Sequence, residues 1–247
     1  MRSFLPPALH LAAAGTALLL TGCADKPPAN DPDAVAEYQA NNDPLEPTNR
    51  AFFKFNDTLD RYVLKPVAQG YVFITPPPVR RGLHNLTANL GAPVVFANDV
   101  AELHPSHAAV TAARMVINTT AGIGGLWDVA KAAGLPGHDA NGDITFALWG
   151  VPTGPYLYLP FVGPTSLRGV AGQGLDVAFN PLTWVPHGYG LKTLNTVSGG
   201  VGVVDLRADL LTDVDKAKAG ALDPYATFRT LYQQYEAKTI EDARHAD

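Results

Sequence analysis

Pro76-Pro77-Pro78-Val79-Arg80-Arg81-Gly82-Leu83-His84-Asn85-Leu86-Thr87-Ala88-Asn89-Leu90-Gly91 is the stretch that decides helix against strand for this chain. Three prolines stop whatever element precedes them and start the next. Val79, Leu83, Leu86 and Leu90 then fall at offsets 0, 4, 7 and 11, one face of an α-helix predicted to end near Gly91. Upstream, Pro47 to Leu64 carries Phe52, Phe55, Leu59 and Tyr62 or Val63 at three- and four-residue spacing. Lys54, Asp57, Asp60 and Arg61 face elsewhere; Asp57 and Asp60 read as solvated surface. Pro66 argues against continuation past Lys65. Downstream, helices are predicted over His107 to Thr120 and Pro164 to Phe179, the latter with Leu167, Val170, Ala171 and Leu175 near one face. A last one bears Tyr225, Phe228, Tyr232 and Tyr235, with Leu231 widening the stripe and Pro224 in the first turn. Tyr156-Leu157-Tyr158-Leu159 resembles a strand but is too short to build a sheet alone. The expectation is a mostly all-α fold with little or no sheet, one domain over residues 43–243.

Composition narrows the partners. The chain has 247 residues, a formal charge of −5, 23 glycines, 21 prolines and one cysteine. One cysteine excludes an internal disulfide and a thiolate zinc cluster. An acidic balance without a basic footprint argues against nucleic acid. Charged residues are 17%, short of the roughly 25% of ordinary soluble domains. The shortage is local: residues 70–200 hold twelve Lys, Arg, Asp or Glu in 131 positions, while the flanks are ordinary. Trp127, Trp149 and Trp184 all lie inside that span, and tryptophan favours the headgroup level of a bilayer. A helical body that touches or partly enters lipid, or packs against another membrane protein, fits these facts. A large dry core under a modest surface is the competing reading.

The single cysteine closes an N-terminal signal. Arg2 precedes an apolar run from Phe4 to Leu20, too short and interrupted for a membrane span, ending in Leu20-Thr21-Gly22-Cys23. That ending resembles the lipobox of bacterial lipoproteins, which would make residues 1–22 a cleaved signal and Cys23 the lipid attachment. Acyl chains anchor by about 0.8 kcal/mol per buried methylene. An ordinary signal with a chance or buried cysteine is the plainer alternative. Ala24 after the cysteine, where aspartate would mark inner-membrane retention, points by the same resemblance to the outer membrane. Residues 23–42, rich in turn formers and charge, read as a flexible tether.

Catalytic signals are thin. Gly122-Ile123-Gly124-Gly125 lacks the preceding strand and the third glycine placement of a dinucleotide loop, and no Gly-Lys-Ser/Thr follows. There is no Gly-x-Ser-x-Gly elbow. His104-Pro105-Ser106-His107 reads as a turn before a helix in preference to a metal site. Arg80-Arg81 either meets lipid phosphates or merely begins a helix.

Ordered blocks then carry a resemblance. Asn42-Asp43-Pro44-Leu45-Glu46-Pro47-Thr48-Asn49-Arg50, followed by Phe53-Lys54-Phe55-Asn56-Asp57-Thr58-Leu59-Asp60, closely resembles the opening of the VacJ family, also called the MlaA family. Leu64-Lys65-Pro66-Val67-Ala68, Pro78-Val79-Arg80-Arg81-Gly82, Asn85 to Leu90, Asn98-Asp99 and Arg114 to Thr120 continue the pattern. Gly122 to Ala130, Trp149 to Tyr156, Leu159-Pro160, Gly163-Pro164 and Ser166-Leu167-Arg168 complete it, over roughly residues 42–235. One departure is Asn141 to Phe146, where members often carry an acidic and aromatic run ending in Phe-Gly-Gln-Thr. The segment resembles a loop near the family's pore.

The resemblance implies a ring-like helical lipoprotein with an amphipathic central channel, anchored in the inner leaflet of the outer membrane on its periplasmic side. It implies extraction of mislocalised phospholipids from the outer leaflet, beside a trimeric outer-membrane porin, and delivery to a soluble periplasmic phospholipid-binding protein. No bond chemistry, cofactor or metal is implied. Arg80, Arg81 and Arg168 become candidate headgroup contacts. Gly122, Gly124, Gly125, Gly150, Pro152, Gly154 and Pro155 become shapers of the ring and its pore loops. A porin-associated structural lipoprotein without transfer activity, and a lipid-modifying enzyme, are the alternatives.

Overall fold

The computed structural model describes residues 24–185 and 190–245, so the signal and Cys23 lie outside the described residues. In chain order the elements are α1 (Pro32–Asn41), α2 (Glu46–Leu59), a π-helical turn (Asp60–Leu64), α3 (Lys65–Ile74) and α4 (Pro77–Ala101). Then come α5 (Pro105–Thr120), α6 (Val129–Ala132), α7 (Gly142–Leu148), β1 (Tyr156–Leu159), β2 (Gly163–Ser166) and α8 (Leu167–Phe179). A 3₁₀ turn (Pro181–Thr183), α9 (Leu191–Asp209), α10 (Leu211–Gly220) and α11 (Pro224–Arg244) finish the chain. The mostly helical expectation holds. Two compact units are distinguishable, one reaching Asp57 and including Gly154–Leu167, the other holding Thr58–Thr153 and the chain from Arg168.

In the first unit, Asp31 caps α1 by accepting from the Ala34 N–H at 3.0 Å, with Pro32 in the first turn. A ten-residue helix thus lies in the stretch expected to be slack, although it buries no residue. The strand-like Tyr156–Leu159 does find a partner: β2 pairs antiparallel with it, Tyr156 opposite Ser166 and Leu159 opposite Gly163. The helix predicted over Pro164 to Phe179 therefore begins only at Leu167. A lone hairpin is marginal in water. Two asparagines of α2 support this one from its free edge. The Asn49 side chain donates to the Tyr156 carbonyl at 3.2 Å and accepts from the Tyr158 N–H at 2.9 Å. Asn56 repeats the pattern three strand residues on, donating to the Leu159 carbonyl and accepting from the Phe161 N–H, both at 2.9 Å. Seven residues of helix rise about 10.5 Å and three of strand advance about 10 Å, so the two periodicities coincide. Phe53 and Phe55 add edge-on ring contacts to Tyr158 and Phe161.

In the second unit two helices outrun their predicted ends. Pro66 falls in the first turn of α3, and the π-helical turn before it bonds Lys65 N–H to the Asp60 carbonyl, so the chain stays helical past Lys65. α4 continues through Gly91 and Pro93 to Ala101. Its second half is held by hydrogen bonds from afar: Asn98 donates to Asp176 at 2.8 Å and accepts from Thr145 at 2.9 Å, and these anchors override the two breakers. Asp60, read as solvated, instead receives Arg207 and Lys218, the latter at 3.0 Å. Burial works to raise its carboxyl, but the hydrogen bonds from those two cations win and hold it below the usual range.

The distribution of side chains is inverted. Among the described residues, ten apolar and fifteen polar or charged side chains are buried, six of the ten being alanines. Large apolar residues stand outside instead, including Phe73 at 90% exposure, and all three tryptophans. A water-facing protein shows the opposite. The reading of a large dry core fails on this point. No helix among the described residues is long and apolar enough to cross a membrane.

Candidate functional site

α4 packs along α5 in the second unit, and between them opens a cavity of about 510 Å³. One wall presents His84, Asn85, Ala88, Asn89 and Ala92 from α4; the other presents Thr111, Arg114, Met115 and Asn118 from α5. Asp128 and His138 close it. The size falls in the range of small-molecule pockets, and the lining mixes amides and one ion pair with apolar patches.

The α5 wall is rigid because its polar groups are satisfied in one arrangement. Arg114 donates to Asp128 at 3.0 Å and to the Leu135 carbonyl. Asn118 donates to the other Asp128 oxygen at 2.9 Å and accepts from the Ala130 N–H at 2.9 Å. Burial works to raise the Asp128 carboxyl, yet the hydrogen bonds from Asn118 and Arg114 hold it below the usual range, so it stays ionised.

The glycine loop leading to Asp128 makes this possible. Ile123, Gly124 and Gly125 all take positive φ. A Cβ on Gly125 would sit 2.6 Å from the Asn89 Cβ, and one on Gly122 would strike the backbone carbonyls of Asn118 and Trp127. Gly124 meets nothing; its φ of 69° is what requires glycine. Gly150 and Gly154 also have positive φ, while Pro152 is exposed and Pro155 half-buried.

The arginines expected at headgroups are placed differently. Arg168 is 6% exposed and bound within the fold, donating to Asp143 at 2.7 Å, to Glu236 at 2.6 Å and to the Val151 carbonyl. Three of its five N–H donors are thereby held within the fold, which gives it a structural role. Burial, then the Asp143 charge, push Glu236 up to about 7 against the pull of Arg168. Arg81 is exposed, and Arg80 half-buried in the first turns of α4. Neither lines the cavity. The lining arginine is Arg114, at the start of the Arg114 to Thr120 stretch yet singled out by nothing in the sequence. Beyond the cavity, Asp205 accepts from Tyr71 and from His84, each at 3.0 Å. Burial, with that hydrogen bond, pushes the Tyr71 phenol up to about 12. Asn141 to Phe146, expected as a loop, forms the start of α7, with the Asn141 side chain capping it.

Two of the three exposed tryptophans share a peculiarity. Trp149 donates its indole N–H to the Ala101 carbonyl and Trp184 to that of Ala178, at 3.0 and 2.9 Å. Their polar edges are satisfied inward while the rings face out, which suits a ring placed against apolar surroundings.

The family model described as MlaA lipoprotein matches residues 41–239. The chain belongs to the MlaA lipoprotein family. A relative from Haemophilus influenzae, named intermembrane phospholipid transport system lipoprotein MlaA, is 37% identical over 240 residues, 95% of this chain and 91% of the relative. One of the same name from Escherichia coli K12 is 35% identical over 232 residues, 92% and 86% of the two chains. A solved structure described as "Structural basis for maintenance of bacterial outer membrane lipid asymmetry" superposes with a TM-score of 0.70 at 33% identity, covering 80% of this chain and 98% of that one. The MlaA assignment thus rests on both sequence and fold.

Proposed function

We propose that this chain removes mislocalised phospholipids from the outer leaflet of the outer membrane and passes them to a periplasmic lipid carrier, maintaining lipid asymmetry. The observation that carries the reading is the amphipathic cavity in a chain whose buried side chains are mainly polar and many of whose large apolar side chains stand exposed. An exterior of that kind rests against acyl chains and lets the protein sit in one leaflet. Arg114 and Asp128 present a cation and an anion 3.0 Å apart on the cavity wall, the pairing a zwitterionic headgroup needs. Met115, Val95 and Ala92 offer apolar surface beside them. Arg80 and Arg81 stand as further headgroup contacts at the start of α4. Transfer needs no bond chemistry, so the chain acts as a conduit and not an enzyme.

Family membership supports the remaining parts of the reading. Cys23 carries the lipid anchor in the inner leaflet, the body over residues 43–243 faces the periplasm, a trimeric porin flanks it, and a soluble phospholipid-binding protein receives the lipid. The lipidated chain reconstituted with a porin in vesicles should move labelled phospholipid to the carrier. Ala92→Trp, which fills the cavity, should abolish that movement while circular dichroism and membrane retention stay unchanged. Equal transfer by the wild type and by vesicles lacking it would favour a purely structural lipoprotein.

A further inference from the structure

We infer that Asp99, His107 and His138 form a binding site for a divalent cation of the zinc class. The three residues come from different places: the last turn of α4, the first turn of α5, and the loop ahead of α7. Their ligand atoms all lie within 4.8 Å of one another. His138 Nε2 and Asp99 Oδ1 are already 2.7 Å apart, and the His107 and His138 rings lie 4.1 Å centroid to centroid. Two imidazoles and one carboxylate are a donor set that suits zinc, and three protein ligands with an open fourth position is a common arrangement for it.

The surroundings have the features of a built site. Asp99 is fully buried, and its second oxygen accepts from the Thr111 hydroxyl at 2.6 Å, which fixes the carboxylate's orientation as an outer-shell partner does. His138 keeps 20% of its side chain accessible, and with His107 it borders a second cavity of about 330 Å³ through which an ion can enter. Bonds of about 2.0–2.1 Å at tetrahedral angles set neighbouring donors about 3.4 Å apart. The 2.7 Å pair therefore opens by under an ångström when the cation takes the place of the shared proton, and His138 binds as a neutral imidazole with its one ring proton on Nδ1. The ion would tie α4, α5 and the loop into one clasp beside the larger cavity, whose wall includes Thr111 and His138.

The test uses the full, untagged, lipidated chain in detergent micelles and Zn²⁺ as the probe, competed against a chromogenic chelator. One equivalent is expected, with a rise in thermal midpoint on loading. H107A and H138A should each lower affinity by at least about 100-fold, beyond what loss of an outer-shell partner does. H84A, which breaks the only other group of three such ligands among the described residues, should leave it unchanged. Absence of the equivalent in the wild type, its survival in both histidine variants, or its loss in H84A overturns the assignment. Should a histidine variant misfold, Co²⁺ added to the wild type decides alone: an intense visible spectrum of four-coordinate cobalt supports the site, and a weak six-coordinate one overturns it.

Discussion

At the scale of single residues, strain and buried charge make the clearest claims. Ile123 is β-branched and exposed yet held at φ 51°, a conformation that costs such a residue about 1–2 kcal/mol. Ile123→Gly should therefore raise the stability of the detergent-solubilised chain, by about 1 kcal/mol after the entropy glycine adds to the unfolded state. A thermal or denaturant melt reads this directly. Glu236 makes a second claim. Folded, it holds its proton up to about pH 7; unfolded, it releases it near 4.5. Between those values the folded chain binds more protons, so the associated stability is complete below about pH 4.5 and is lost as pH rises through 7. Glu236→Gln removes that slope, and above pH 7 it should be the more stable by on the order of 2 kcal/mol. An identical pH dependence of the two melts would contradict the assignment. Asp60→Asn should act in the opposite sense, because buried Arg207 would lose its nearer charge partner and keep only Asp215 at 3.9 Å, at a cost of about 3 kcal/mol.

At the scale of elements, the coupling of α2 to the hairpin works as a ruler. Asn49→Ala leaves the buried Tyr158 N–H without its acceptor and should lower stability by about 2 kcal/mol. Limited proteolysis should then cut at residues 160–162 first. One residue inserted between Asn49 and Asn56 turns the second asparagine by 100° and should do at least as much harm. This is also where the sequence was half legible. The stripe of Val79, Leu83, Leu86 and Leu90 announced α4, but Gly91 and Pro93 hid its length, since the bonds that overrule them reach Thr145 and Asp176. Gly163-Pro164-Thr165-Ser166 offers almost no strand-forming side chains, so β2 was invisible until its partner and the asparagines were in place. His107 was set aside with His104 as a turn for a similar reason, since Asp99 and His138, its partners in the proposed cation site, arrive from other elements.

At the scale of the molecule, the acidic balance and apolar exterior make a joint prediction. A chain of charge −5 is repelled by anionic lipid, so any hold beyond the anchor must come from apolar contact. Cys23→Ala chain, lacking the proposed acyl group, should still co-sediment with vesicles, and high salt should not release it. Phe73→Asp and Trp184→Asp together should. The charge-poor span was readable by counting; which groups stand inside and which outside was not, because composition does not distinguish a buried alanine from an exposed one. That inversion also bears on how the protein responds to temperature. Unfolding normally exposes new apolar surface and raises the heat capacity, whereas newly wetted polar surface lowers it. This interior holds mainly amides, hydroxyls and ion pairs. Its heat-capacity increment per residue should fall below the usual 12–15 cal/mol/K, giving a flatter stability curve and a cold limit displaced to lower temperature.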